Sequence, residues 1–197
     1  MILQVTTPAT NLPVSLTEAK SWLRVTEQDE DTDVLAVLRA AIDAAQELTS
    51  GGIVLAPTTY TMILPTFPTG RCPLYIPSVP MTSITSVDYL DGDNAAASLV
   101  EDTDYTLLVP THNQGFLTPV IATEWPSTAD RADAVTIVYV AGYATDGVVP
   151  DRIKEAIRLL VGHFWENREA VVTGTISSEV QLSVRSLLDT ASWGYLP

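Results

Sequence analysis

Three things are scarce in this chain of 197 residues: it has one cysteine, ten Lys or Arg residues, and no long apolar run. The lone Cys72 excludes an internal disulfide framework and suits synthesis in the cytosol. No apolar stretch approaches the roughly 18–20 residues of a membrane span. The start, Met1 to Pro8, lacks the basic residues and cleavage site of a secretory signal. Ten basic residues stand against 24 acidic ones, so the formal net charge is −14. A chain that gripped phosphate backbones would need the opposite balance. Also missing are a Gly-x-Ser-x-Gly elbow, a phosphate-binding glycine loop and a dinucleotide fingerprint.

What is present starts with the stretch from Val149 to Glu169. Ile153, Ala156, Ile157, Leu160, Val161, Phe164 and Trp165 recur at the spacing of one helical face. Pro150 suits a helix start and Asp151 the positive end of its dipole. Glu155 and Arg158 are placed to pair at i,i+3. Such a helix runs roughly 30 Å at about 1.5 Å per residue, and its wide apolar face needs cover. Ile157, Leu160 and Phe164 are expected in the core.

Upstream, Ser15-Leu16-Thr17-Glu18 has capping-box spacing and opens a short helix through Trp22 and Leu23. A second helix follows, marked by Val34, Leu35, Val37, Leu38, Ala41, Ile42, Ala45 and Leu48, and Gly51-Gly52 ends it. From Ile53 the texture changes to short runs rich in Thr, Val, Pro and Tyr. Strands are expected around Tyr60–Leu64, Val87–Tyr89, Tyr105–Val109, Gly115–Leu117 and Val135–Val140, with Asp91-Gly92 as a turn. Val135–Val140 is apolar on both faces and reads as the most buried strand. After the long helix, Val171–Ser178 is uncharged and β-prone, and Val184, Leu187 and Leu188 suggest a last short helix. The expected fold class is α+β. Residues 1–52 and 148–197 make a helical core, and 53–147 an inserted antiparallel β module.

The acid is clustered. Glu27, Asp29, Glu30, Asp31 and Asp33 form one run without a base, and Asp88, Asp91, Asp93, Glu101, Asp102 and Asp104 form a second. Solvated loops explain both; a surface that repels nucleic acid is the sharper reading. Asp29, Asp31 and Asp33 have the opening spacing of a calcium loop. Val34 and Ala40 replace its glycine and its bidentate glutamate. His163 and Glu166 match half of an inverted zincin motif, but Asn167 replaces the second histidine, and His112 is the only other one. Cys72, between Arg71 and Pro73, reads as a spectator thiol. Trp22 and Trp165, at helical spacing, read as core, and Trp193 as a possible interface anchor. No catalytic, cofactor or metal residue is assigned.

The order of parts resembles tailed-phage head–tail connector proteins, also called head-completion adaptors. Ser15 to Lys20 and Leu23 to Val25, then Asp29-Glu30-Asp31 leading into a long helix, resemble the start of that family. Ala134 to Tyr143, Val149-Pro150 with Ile153 to Ile157, and above all His163 to Val171 continue the likeness, with Gly174 and Leu187-Leu188 following. The resemblance implies a non-enzymatic virion protein of the capsid neck, made in the host bacterial cytoplasm. It implies a ring, usually of twelve copies, beneath the portal protein. That ring extends the DNA channel and offers a docking platform to the next connector or tail protein. Genomic DNA would pass without specific binding, which suits an acidic lining at Glu27, Asp29, Glu30, Asp31 and Asp33. Val171, Val172, Ile176, Trp193, Tyr195 and Leu196 are the expected portal or subunit contacts, in a segment from about 171 to 197 that leaves the subunit body. Two other readings remain open on the residues alone: a β-rich tail or host-surface binding module, and a carboxylate-based, metal-dependent hydrolase.

Overall fold

The structure, a computed structural model, describes residues 1–9, 11–49, 53–109, 115–143, 149–167 and 178–189. The chain divides into a β unit, residues 1–10 and 56–143, and a helical unit, residues 11–55 and 144–197. The class is α+β.

The β unit holds two antiparallel sheets. The larger contains β1 (Ile2–Thr7), β2 (Thr58–Leu64), β4 (Met81–Leu90), β5 (Ala96–Leu99) and β8 (Val135–Ala141), in the order β1-β2-β8-β4-β5. The smaller contains β3 (Leu74–Tyr75), β6 (Tyr105–Leu108) and β7 (Phe116–Pro119), in the order β3-β7-β6. Central β8 alternates. Val135, Ile137, Tyr139 and Ala141 are buried, and the residues between them are half-buried, so only one of its faces is fully covered. That corrects the expectation of burial on both faces. Thr136 and Val138 sit on the other face, which stays partly open to solvent, as antiparallel sheets permit.

Register ties one apolar row across all five strands. Leu3 lies beside Met62, Met62 beside Ile137, Ile137 beside Val87, and Val87 beside Leu99. The middle three are fully buried, Leu99 is half-buried, and Leu3 is 40% exposed. Tyr139 stacks on Tyr60 at 5.6 Å, and its hydroxyl shares a 2.9 Å hydrogen bond with Ser78. Phe67 stacks on Trp125 at 4.9 Å and meets Tyr89 edge-on at 5.7 Å. The Trp125 indole donates to the Cys72 carbonyl at 2.8 Å. At Gly142, φ is +120° and a side-chain carbon would stand 2.3 Å from the Ala56 carbonyl oxygen, so only glycine fits.

The first strand corrects an expected boundary. Residues 1–52 were expected among the helices, but Ile2–Thr7 pairs antiparallel with β2, with one register shift between Val5 and Thr7. It is an uncharged, β-prone run closed by Pro8. Its partner lies some fifty residues on, so no local turn announces the pairing.

The helical unit contains α1 (Leu16–Leu23), α2 (Asp31–Leu48), α3 (Asp151–Glu166) and α4 (Ser178–Asp189). Helix α3 packs against each of the other three. It buries Ile153, Ala156, Ile157, Leu160 and Val161, and α2 answers with Val34, Leu38, Ala41, Ile42 and Ala45. Phe164 and Trp165 are only half-buried, not core as expected, because both lie in the last turn, where α3 runs out. Gln46 fastens the outgoing chain: its amide donates to the Ile53 carbonyl and accepts from the Leu55 N–H. Among the described residues, no buried side-chain nitrogen or oxygen lacks a hydrogen-bond partner.

Helix α4 changes the expectation for the end of the chain. Val184 and Leu188 are buried and α4 packs on α3, so residues 178–189 belong to the subunit body. The apolar stripe of α4 finds cover on α3, which the uncharged stretch before it concealed.

Candidate interaction surfaces

The acidic turn is built by the junction of α1 and α2. Ser15 caps α1 with both halves of a capping box: its hydroxyl accepts from the Glu18 N–H at 3.2 Å, and its own N–H donates to Glu18 at 2.8 Å. Arg24 ends the helix in the left-handed region at φ 58°. Lys20 then reaches across, donating to the Glu27 carbonyl at 3.0 Å and pairing with the Asp31 carboxylate. Asp31 and Asp33 lie in the first turn of α2, where the helix dipole favours them. Glu27, Asp29 and Asp33 stay exposed. The structure thus gathers the five acidic residues in one place, one of them neutralised by Lys20.

Glu18 has a second role. Lys154 at 3.5 Å and Arg158 at 3.4 Å, both from α3, approach the same carboxylate oxygen, and Glu155 meets Arg158 at 3.7 Å. The backbone hydrogen bond from Ser15, helped by the Ser15 hydroxyl and these cations, holds the Glu18 carboxyl below the usual carboxylate range, against an opposing push from partial burial. Beside it opens a pocket lined by Thr17, Glu18, Ser21, Trp22, Arg24 and Arg158. Trp22 is 45% exposed there, which corrects its reading as core. The short α1 buries only Ala19, and the Trp22 indole nitrogen comes close to Gly162 of α3, leaving nearly half of the residue exposed.

The third surface is β1. All six of its residues are exposed, with Ile2 at 53% and Val5 at 57%. Nothing in the sequence reading singled it out, although a β-prone, uncharged run beginning the chain is a visible signal. Elsewhere, His163 and Asn167 form a helix end: the Asn167 amide donates to the His163 carbonyl at 2.8 Å. Among the described residues, no group of three His, Cys, Asp or Glu is placed to hold a metal ion, and no helix is long and apolar enough to cross a membrane. His112, Val171, Val172, Ile176, Trp193, Tyr195 and Leu196 lie outside the described residues.

Against solved structures, the likeness runs nearly end to end. A chain from the neck of an empty gene transfer agent particle, computed with C6 symmetry, matches at TM-score 0.71 and 19% identity, over 97% of this chain and 95% of that one. The fold is shared. A chain from the virion of a native gene transfer agent particle matches at TM-score 0.69 and 19% identity, covering 94% of each chain. A third, from the neck of a native particle computed with C12 symmetry, gives TM-score 0.68 and 18% identity over 95% and 94%. No family model and no curated protein matches the sequence.

Proposed function

We propose that this chain is a structural, non-enzymatic protein of a phage-like virion neck, a head–tail connector. The observation that carries this reading is the likeness over both units, 97% of the chain, to a neck subunit at TM-score 0.71. Neighbours from necks computed with C6 and C12 symmetry support a homo-oligomeric ring. In the finer form of the proposal, twelve copies sit beneath the portal, extend the DNA channel and offer a platform to the next connector or tail protein.

Charge and exposure agree with this. With 24 acidic residues against ten basic ones, a lumen built from this chain repels DNA rather than retaining it. Glu27, Asp29 and Asp33 are the exposed acids we assign to that lining. Val171, Val172, Ile176, Trp193, Tyr195 and Leu196 remain our candidates for the portal contact. Native mass spectrometry of the chain mixed with its portal ring tests the proposal: a complex with a whole ring of added copies is expected. A chain that stays monomeric beside the portal contradicts it and favours a tail or host-surface module. Removing residues 190–197, which spares α4, should weaken portal docking at least tenfold.

A further inference from the structure

Among the described residues, the larger sheet is unfinished at both ends: β1 has only β2 beside it, and β5 has only β4. Among the described residues, no backbone hydrogen bond reaches the outer side of either strand. Free edges invite another strand, and proteins normally blunt them with lysine, proline or an inward charge. Neither Ile2–Thr7 nor Ala96–Leu99 carries any of these; β1 has one bulge, between Val5 and Thr7, so the regular edge it offers is Ile2–Val5.

The two edges are complementary in chemistry. The apolar row that crosses the sheet is fully buried at Met62, Ile137 and Val87 and emerges at Leu3 on one edge and Leu99 on the other. Charge selects the same match. Surrounding β5 are Asp88, Asp91, Asp93, Glu101, Asp102 and Asp104, so two β5 edges would bring acid against acid. The first seventeen residues carry no charged side chain, nor do residues 53–70, which include β2. In a chain of net charge −14, the β1 edge is where a second copy can approach the β5 edge with least repulsion.

We infer that β1 of one copy pairs with β5 of the next, joining the five-stranded sheets of neighbouring subunits into one continuous band around the ring. The inference rests on the ring proposed above. A closed ring needs a heterologous contact between two different surfaces, and the two ends of one sheet supply it. The geometry also dictates polarity. All four pairings inside the sheet are antiparallel, so β1 and β5 share one sense, offset by the twist of the sheet. A twelve-fold axis turns a strand by only about 30° between neighbours, so the new pairing is parallel. Leu3 then stands beside Leu99 of the next copy, and Ile2 beside Ser98.

Cysteine cross-linking in the portal-bound ring tests this. In a Cys72→Ser background, Leu3→Cys with Leu99→Cys should give, on mild oxidation, a ladder of covalent multimers rising one chain at a time. Ile2→Cys with Ser98→Cys should do the same, while Gln4→Cys with Ser98→Cys, the antiparallel match, should not. All these positions lie on edge strands, so the substitutions leave the core intact. A ring seen by electron microscopy that gives no ladder with either parallel pair overturns the inference and leaves the neck reading standing. Dimers from Leu3→Cys alone also overturn it, since they report a two-fold β1 to β1 contact. If no ring forms on the portal, the neck reading fails and the edge pairing falls with it.

Discussion

The two units carry the same formal charge and dispose of it differently. The β unit has nine acidic and two basic residues, and the helical unit has fifteen and eight, so each stands at −7. In the helical unit, cations face acids: Lys20 meets Asp31, and Lys154 and Arg158 meet Glu18. In the β unit Arg131 pairs with Asp133, and other acids accept from N–H and O–H groups in turns and across strands. Asp91 accepts from the Asp93 and Ala95 N–H groups, Asp104 from Val100, and Asp88 from the Ser98 hydroxyl. Apolar surface divides in a similar way. The described helices bury their stripes against one another, whereas the sheet leaves Ile2, Leu3 and Val5 at an open edge. Among the described residues, one unit covers its apolar stripes internally and the other leaves an apolar edge exposed.

The largest effect should come from breaking the helical unit. Leu160 is fully buried at the centre of α3, and Leu160→Asp sets an unpaired charge there. A loss of more than about 4 kcal/mol is expected, visible as the absence of soluble, cooperatively melting protein. A variant that melts like the parent would mean that α3 does not organise the helices. Next comes the close approach at Gly142. Gly142→Ala should cost about 1–3 kcal/mol in denaturant unfolding, because its +120° φ and the nearby Ala56 carbonyl leave no room for a side chain. An unchanged midpoint would refute that geometry.

Tyr139 sharpens the contrast through pH. Its burial, partly offset by the Ser78 hydrogen bond, pushes the phenol up to about 12, against about 10 in an unfolded chain. Between those values the unfolded chain loses the proton first, so stability should fall as pH rises from 10 toward 12. Tyr139→Phe should reduce that alkaline fall while costing about 1–2 kcal/mol at neutral pH, since Ser78 loses its partner. Equal alkaline slopes in the two proteins would show that Tyr139 does not titrate with unfolding. The smallest effect belongs to Glu18. With its carboxyl held low, its contribution is complete above the ordinary carboxylate value and is lost as pH falls through the lowered one. Glu18→Gln should cost under about 1 kcal/mol at pH 7 and nothing in strong acid, because the group is part-exposed. A deficit that persists in strong acid would point to lost packing instead.

Legibility in the sequence followed locality. Ser15 to Glu18 and the α3 stripe could be read because caps and helical faces are set by residues three and four apart. Asp91-Gly92 marked the β4–β5 hairpin for the same reason. Strand β1 escaped because its partner is distant in sequence, and β-propensity alone does not say where a strand pairs. Trp22 misled because helical spacing identifies a face but not how far the neighbouring helix extends to cover it. The acidic turn was legible as a cluster, while its tether to Lys20 depended on how α1 ends at Arg24. The open sheet edge, the surface on which the subunit contact is proposed, emerged only once strand order was known.

The most direct measurement is a set of electron-microscopy class averages of this protein mixed with the proposed portal ring. A ring of twelve subunits coaxial with the portal, with an open central channel, is the predicted image. Portal particles that carry no added ring, with this protein left free as a monomer, would contradict the neck assignment.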